Sequence, residues 1–338
     1  MKPVTVIRVF LLPLLFFSTL VNTTQACSVP VFRYALERWE QDDFVAYVFY
    51  RDTIGTAAKA SVEELAGHSR RVIDSSGQIM THSGTSAVAS NLLLVTLNLN
   101  DTLSPFEQTL WKKYGGKELP WVLVRFPLAA RISENLWAGP VSTLPVEKLT
   151  ASPGRTEMSR RLLAGESVVW IAVKGGNKST DKKMLTILKR GIDSCNSVLS
   201  LPVLDTSDIS EYLNPDRPTV RKEFSTIEID ASDPAEELFI TMLQMCEPML
   251  TKNRHQPALF PIFGRGRCLF ALAGSGMSVE HILEANAFLI GACACTVKEQ
   301  NPGRDLLLSG DWDSGVRPLI RDAAPPPLQG FEKFMGKR

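Results

Sequence analysis

Arg254–Gly291, RHQPALFPIFGRGRCLFALAGSGMSVEHILEANAFLIG, is the stretch on which the reading of the chain turns. Leu259–Phe263 and Cys268–Ala273 are apolar runs of strand length, separated by Gly264-Arg265-Gly266, which suits a tight hairpin reversal. Pro257 heads the first run, a position where a proline costs no ladder hydrogen bond. Ser278 precedes the apolar segment Val279–Ala292 and is placed to cap it as a helix. The order is proline, strand, turn, strand, loop, helix.

The residues upstream complete this half. Ser167–Lys174 (SVVWIAVK) is rich in β-branched and aromatic residues and predicts a buried strand. Lys182–Leu199 carries Met184, Leu185, Leu188, Ile192, Cys195 and Leu199 at helical spacing. Phe224–Ile229 predicts a second strand. Asp233-Pro234 then reads as cap and first position of a helix running to about Cys246. The summed order is β-α-β-α-β-β-α.

The first half repeats that order. Phe44–Arg51 predicts a strand, and Ser61–Ile73 a helix with Ser61 and Glu64 spaced as a capping box. Leu92–Leu97 and Pro105–Tyr114 follow as strand and helix. Leu119–Phe126 again sets a proline, Pro120, at the head of an apolar strand. Leu136–Val141 pairs with it, and Val146–Leu163 supplies the last helix, broken near Pro153-Gly154.

The chain is therefore of the α/β class, and each half, through its element order and its proline, resembles a thioredoxin fold, two such domains standing in tandem. The resemblance implies that Pro120 and Pro257 are counterparts on the substrate-facing side. It also implies cis X–Pro bonds, first at Gln256–Pro257 and second at Leu119–Pro120. The same residues also permit an unrelated α/β sandwich in which each proline merely begins a strand. The organisation reads as residues 1–26 a signal peptide, 27–165 and 166–300 the two domains, and 301–338 an extension that is flexible after about residue 312. CSVPVFRYALERW and ACACTVKEQNPGRDLLL are similar to stretches of uncharacterised exported bacterial proteins, a likeness that carries no activity with it.

Lys2 and Arg8 precede an apolar run, Val9–Val21, that ends in Thr24-Gln25-Ala26, the three regions of a secretory signal. Cleavage after Ala26 leaves Cys27 first. A bacterial lipoprotein is lipidated at that position, although Thr-Gln-Ala departs from the usual lipoprotein pattern, so plain cleavage and lipidation of Cys27 both stand. The expected location is exported, periplasmic or extracellular, with membrane attachment only through such a lipid. A net charge of +1 argues against a nucleic-acid partner. Six cysteines in an exported chain permit disulfides without fixing their pairing.

The thioredoxin resemblance implies a nucleophilic cysteine at the N-terminus of the helix after each first strand, where the helix dipole stabilises thiolate. Those positions hold Asp52-Thr53-Ile54-Gly55 and Gly175-Gly176-Asn177-Lys178-Ser179-Thr180, with no cysteine and no Cys-x-x-Cys anywhere in the chain. Ser179 or Thr180 reads as a helix cap. Cys293-Ala294-Cys295 is the sharpest thiol pattern, since i and i+2 share a face in extended backbone; it reads as a structural disulfide or buried thiols, as a redox pair, or, with Cys27 as third soft ligand, as a metal site. His68 and His281 fall in helices, His82 and His255 in loops, without metal spacing. Gly264-Arg265-Gly266-Arg267 reads as a cationic hairpin turn rather than a phosphate loop, and Arg155–Arg161 as a solvated helix face. Two functions follow: a non-catalytic binding or scaffold module for a protein partner, without a cofactor, or a thiol redox or soft-metal protein using Cys293 and Cys295.

Overall fold

The computed structural model describes residues 27–74, 76–80, 89–203, 214–247, 249–293 and 297–319. Residues 1–26, expected to form a signal peptide, lie outside them, as do His82 and Cys295. The fold is mixed α/β with three sheets. The chain opens with β1 (Cys27–Pro30) and α1 (Val31–Arg38). The first half follows: β2 (Phe44–Tyr50), α2 (Thr56–His68), β3 (Ser69–Ile73), β4 (Ile79–Met80), β5 (Ser90–Asn98), α3 (Pro105–Tyr114), β6 (Trp121–Arg125), β7 (Asn135–Pro140), α4 (Val146–Thr150) and α5 (Pro153–Leu163). The second half holds β8 (Val168–Lys174), α6 (Lys178–Val198), β9 (Phe224–Asp230), α7 (Glu237–Met245), β10 (Ala258–Phe263), β11 (Arg267–Cys268), β12 (Leu272–Ala273) and α8 (Val279–Ile290). Short elements close the described chain: β13 (Ala292–Cys293), β14 (Arg304–Asp305) and α9 (Trp312–Gly315).

The first large sheet runs β4-β3-β5-β2-β6-β7. In it β2 pairs parallel with β5 from Phe44↔Leu92 to Tyr50↔Asn98 and antiparallel with β6. The second runs β14-β11-β10-β8-β9, with β12 also on β10. There β8 pairs parallel with β9 from Val168↔Phe224 to Lys174↔Asp230 and antiparallel with β10. Set β3, β4, β12 and β14 aside, and both sheets have one order. The second strand lies beside the first, the third is antiparallel on the other side, and the fourth pairs with the third. Pro120 and Pro257 each stand immediately before the third strand. Leu119–Pro120 is cis and Gln256–Pro257 trans, so the expected cis bond at Pro257 is not found.

The two-residue period of the strands divides the core. On β8, Val169, Ile171 and Val173 face one cluster and Val168, Trp170 and Ala172 another. Both faces are thus covered, which is why this strand reads as an unbroken apolar run. The first cluster joins the halves: Phe44, Ala46 and Val48 of β2 share it with Phe239 and Leu243 of α7 and with Leu306–Leu308. At about 1.5–3 kcal/mol per fully buried large side chain, this common core dominates the cohesion of the two halves. Asn91, buried on β5, donates to the carbonyls of Asp42 and Leu306 and accepts from Leu308 N–H, pinning the C-terminal stretch to the first sheet.

The N-terminal segment packs on the second half. β1 pairs with β13, and α1 places Val31, Phe32 and Ala35 among Trp170, Leu259 and Ile282. Trp312 and Leu319 are buried, and Leu319 N–H donates to Glu37 at 2.9 Å.

Several local expectations are corrected. Ser61 lies inside α2, which begins at Thr56, and Ser69–Ile73 leave the helix to pair as β3 with β5, a tertiary contact overriding helix propensity. Asp233 closes a turn, its carbonyl accepting from Glu236 N–H, so α7 begins only at Glu237. Residues 268–273 split into β11 and β12. Ser104 and Glu107 form a capping box on α3, while Ser278 caps α8 as expected.

Candidate functional site

The turn between first strand and helix is built differently in the two halves. In the first, Asp52 adopts a left-handed conformation (φ 57°) and accepts from Asn100 Nδ2 at 2.6 Å. Gly55 precedes α2 with no side-chain cap, so among the described residues the first N–H groups of that helix have no intrahelical or side-chain acceptor. They open on a groove of about 370 Å³ lined by Tyr50, Thr53, Thr56, Ala58, Leu119 and Pro120.

In the second half the same turn is closed against the proline segment, although a cavity of about 630 Å³ lined by Lys174, Gly176, Lys178 and Asp181 also borders it. Gly175 and Gly176 N–H groups both donate to the Asp181 carboxylate, at 2.8 and 3.0 Å. Asn177, rather than Ser179 or Thr180, caps α6, accepting from the N–H of both residues. A Cβ on Gly175 would lie 2.0 Å from the His255 carbonyl oxygen and 3.0 Å from Pro257 Cδ. The turn is therefore in backbone contact with the proline segment, and no space separates them.

The cysteines occupy separate places. Cys195, on α6, is a buried free thiol whose Sγ accepts from Asn286 Nδ2 at 3.2 Å; burial pushes its pKa up. Asn286 in turn accepts from Trp170 Nε1. Cys246 and Cys268 are buried free thiols at the end of α7 and on β11. Cys293 is buried on β13, and the strand register sets it opposite Cys27 of β1. Among the described residues no group of three or more His, Cys, Asp or Glu converges as a metal site, and Cys295 is not among them.

Where the halves and the C-terminal stretch meet, a charge network forms that no motif announces. Lys298 donates to Asp42 and Asp305, while Arg267 donates to Asp305 at 2.9 Å and to the carbonyls of Asn301 and Pro302. Burial, then the nearby Asp305 charge, raises the Asp42 pKa. The network borders a cavity of about 380 Å³, whose wall includes Arg131 and Arg304. The second arginine of the hairpin sequence is thus engaged with protein acceptors, and so is Arg265, which donates to Leu36 O, Glu37 O and Asp313.

Arg155 is not part of a solvated face. It is 1% exposed and donates to Leu149 O, Leu307 O and Ala151 O, while Arg160 and Arg161 pair with Glu157 at the surface. Burial pulls the Arg155 guanidinium down to about 9, still charged at neutral pH, with Glu236 opposing the shift. His68 Nδ1 contacts Thr150 Oγ1 at 3.3 Å and His281 Nδ1 contacts Gly276 O at 2.8 Å, both structural roles. No helix among the described residues is long and apolar enough to cross a membrane. No family model matches the chain, and no curated protein matches it.

Proposed function

We propose that the chain is an exported, non-catalytic protein of two tandem thioredoxin-like units that holds an extended segment of a protein partner beside Pro120. The observation that carries the reading is the contrast at the two turns: uncapped helix N–H donors beside a groove that reaches Pro120 in the first half, side-chain-capped donors and a backbone seal against the Pro257 segment in the second. The common strand order supports the tandem reading, and the absence of cysteine from both turns supports a binding role over disulfide exchange. Exposed N–H groups beside an apolar wall suit a peptide backbone, whose carbonyls accept and whose side chains rest on Leu119 and Pro120.

The test is an NMR titration of the isotope-labelled chain with a permanently unfolded, carboxymethylated polypeptide. Amide shifts at Thr53 and Thr56–Ala58, with none at Gly175–Thr180, are expected. Saturating probe without shifts in the first turn overturns the reading. Insulin-type disulfide reduction by the purified chain is expected to be negligible.

A second reading, a thiol or soft-metal site at Cys293 and Cys295 with Cys27, draws on the register that sets Cys27 opposite Cys293. Copper(I) binding that is lost in Cys293→Ser would favour it over the groove.

A further inference from the structure

We propose that the cavity where the two halves meet is a binding site for a small oxyanion, a phosphate or carboxylate group, held between the guanidinium groups of Arg131 and Arg304. The cavity holds about 380 Å³, the scale of a small-molecule pocket. Its wall draws on both halves and on the C-terminal stretch: Asp42 and residues 129–131, Arg267 of β11, and Lys298, Glu299 and residues 301–304. It shares no lining residue with the groove beside Pro120.

The charges of this wall do not balance. Lys298 lies 2.8 Å from Asp42 and also reaches Asp305, while Arg267 bonds Asp305 at 2.9 Å. Two cations and two carboxylates thus satisfy one another. Arg131 and Arg304 remain, against the one exposed carboxylate of Glu299. A concave wall focuses that surplus positive charge on whatever enters it.

The two arginines are placed differently, and each has donors to spare. Arg304, on β14, is fixed: its Nε donates to Ala130 O at 3.2 Å and its Nη1 to Cys246 O at 2.7 Å. Among the described residues its Nη2 has no acceptor. Arg131 is the exposed neighbour of Ala130, so the bond that orients Arg304 also holds the backbone that carries Arg131. Arg131 ends the short 3-10 turn Leu128–Ala130 in the left-handed region, at φ 54° and ψ 33°. That conformation is uncommon for residues other than glycine, asparagine and aspartate. The Arg131 side chain makes no hydrogen bond or ion pair to another described residue that would offset it. A fixed guanidinium and an unengaged one thus flank one cavity, and both can donate to a single oxyanion, whose oxygens accept.

The experiment titrates the isotope-labelled chain separately with inorganic phosphate and with citrate, ionic strength being held constant with sodium chloride. Amide shifts are followed at Ala130, Arg131, Gly303 and Arg304. A saturable shift with at least one of the two anions is expected, and none with chloride alone. Phosphate acting alone assigns a phosphate ester as ligand, and citrate acting alone a carboxylate. In Arg131→Asn the dissociation constant is expected to rise about tenfold. Asparagine suits the left-handed backbone, so the turn is kept. Lys183→Asn, which removes the same charge from an exposed position on α6, is expected to leave binding unchanged. The titration of the unsubstituted chain does not depend on how any variant folds. No saturable response to either anion overturns the proposal. Binding that Arg131→Asn leaves intact, or that both variants weaken equally, overturns it as well.

Discussion

The two halves share a strand order and differ at one turn. Ahead of α6, Asp181 and Asn177 accept the exposed N–H groups and Gly175 lies against His255. Ahead of α2, no side chain does so and a groove opens against Pro120. Topology places the turn, and a few side chains decide whether its helix N–H groups are capped or left open. The satisfied turn belongs to the half whose central strand is buried from Val168 to Val173, whereas β2 leaves Val45, Tyr47 and Tyr50 half-buried. The open one belongs to the half that leaves its helix end to solvent.

The comparison breaks most severely at the junction that makes two halves one body. Asp305 accepts from Arg267, from Lys298 and from Asp42 N–H. Asp305→Ala leaves two nearly buried cations short of their acceptor and is expected to cost about 3–5 kcal/mol, read as a shift in the chemical denaturation midpoint. Because one core cluster joins the halves, a single transition should move as a whole. Two separate transitions, with only one shifted, would show that the halves fold independently.

The next effect lies at the turns themselves. Gly175→Ala drives a methyl into the His255 carbonyl and is expected to cost about 1–3 kcal/mol. Gly55→Ala meets nothing within 4 Å and has an ordinary φ of −59°, so it should stay within about 0.5 kcal/mol of the parent. Equal costs at the two sites would erase the distinction between sealed and open turns.

How much of this was legible follows the range of the forces involved. The apolar run 168–174 and the Pro257 hairpin were readable because period, turn glycines and burial agree locally. Pro105–Tyr114 was readable because proline suits a first helical position. Arg70 and Arg71 gave no sign of β3, since parallel pairing with β5 is decided by a neighbour distant in sequence. Asp42, Arg267, Lys298 and Asp305 look like ordinary surface charges until the fold assembles them, and Arg155 looked solvated until two segments, 148–151 and Leu307, offered it four carbonyls. At the candidate site the missing cysteine was evident from sequence. The seal at Gly175 was not, because it depends on where His255 returns.

Titration sharpens the contrast between junction and turns. Burial is the largest cause of the raised pKa of both Asp42 and Glu37. A carboxyl whose folded pKa lies above its unfolded value binds its proton more readily in the folded state. Its contribution to stability is then lost as pH rises from the ordinary carboxylate pKa through the raised folded value. Denaturation midpoints should fall across that window, just above the usual carboxylate range, and the fall should be shallower in Asp42→Asn and Glu37→Gln. A steeper fall in those variants would contradict the assignment.

The smallest effects concern the caps and bear most directly on function. Asn177→Ala removes an acceptor from two N–H groups and should cost about 1 kcal/mol. Gly55→Ser runs the other way. The backbone there, at φ −59° and ψ 154°, already has the extended form a capping serine needs, so the substitution should gain a few tenths of a kcal/mol. A serine oxygen placed over those donors also competes with any peptide carbonyl that would use them. Gly55→Ser should therefore raise the denaturation midpoint slightly while weakening the unfolded-polypeptide titration at Thr56–Ala58. If stability rises and the titration is unchanged, the helix N–H groups are not part of the groove's recognition, and the apolar wall of Leu119 and Pro120 carries it alone.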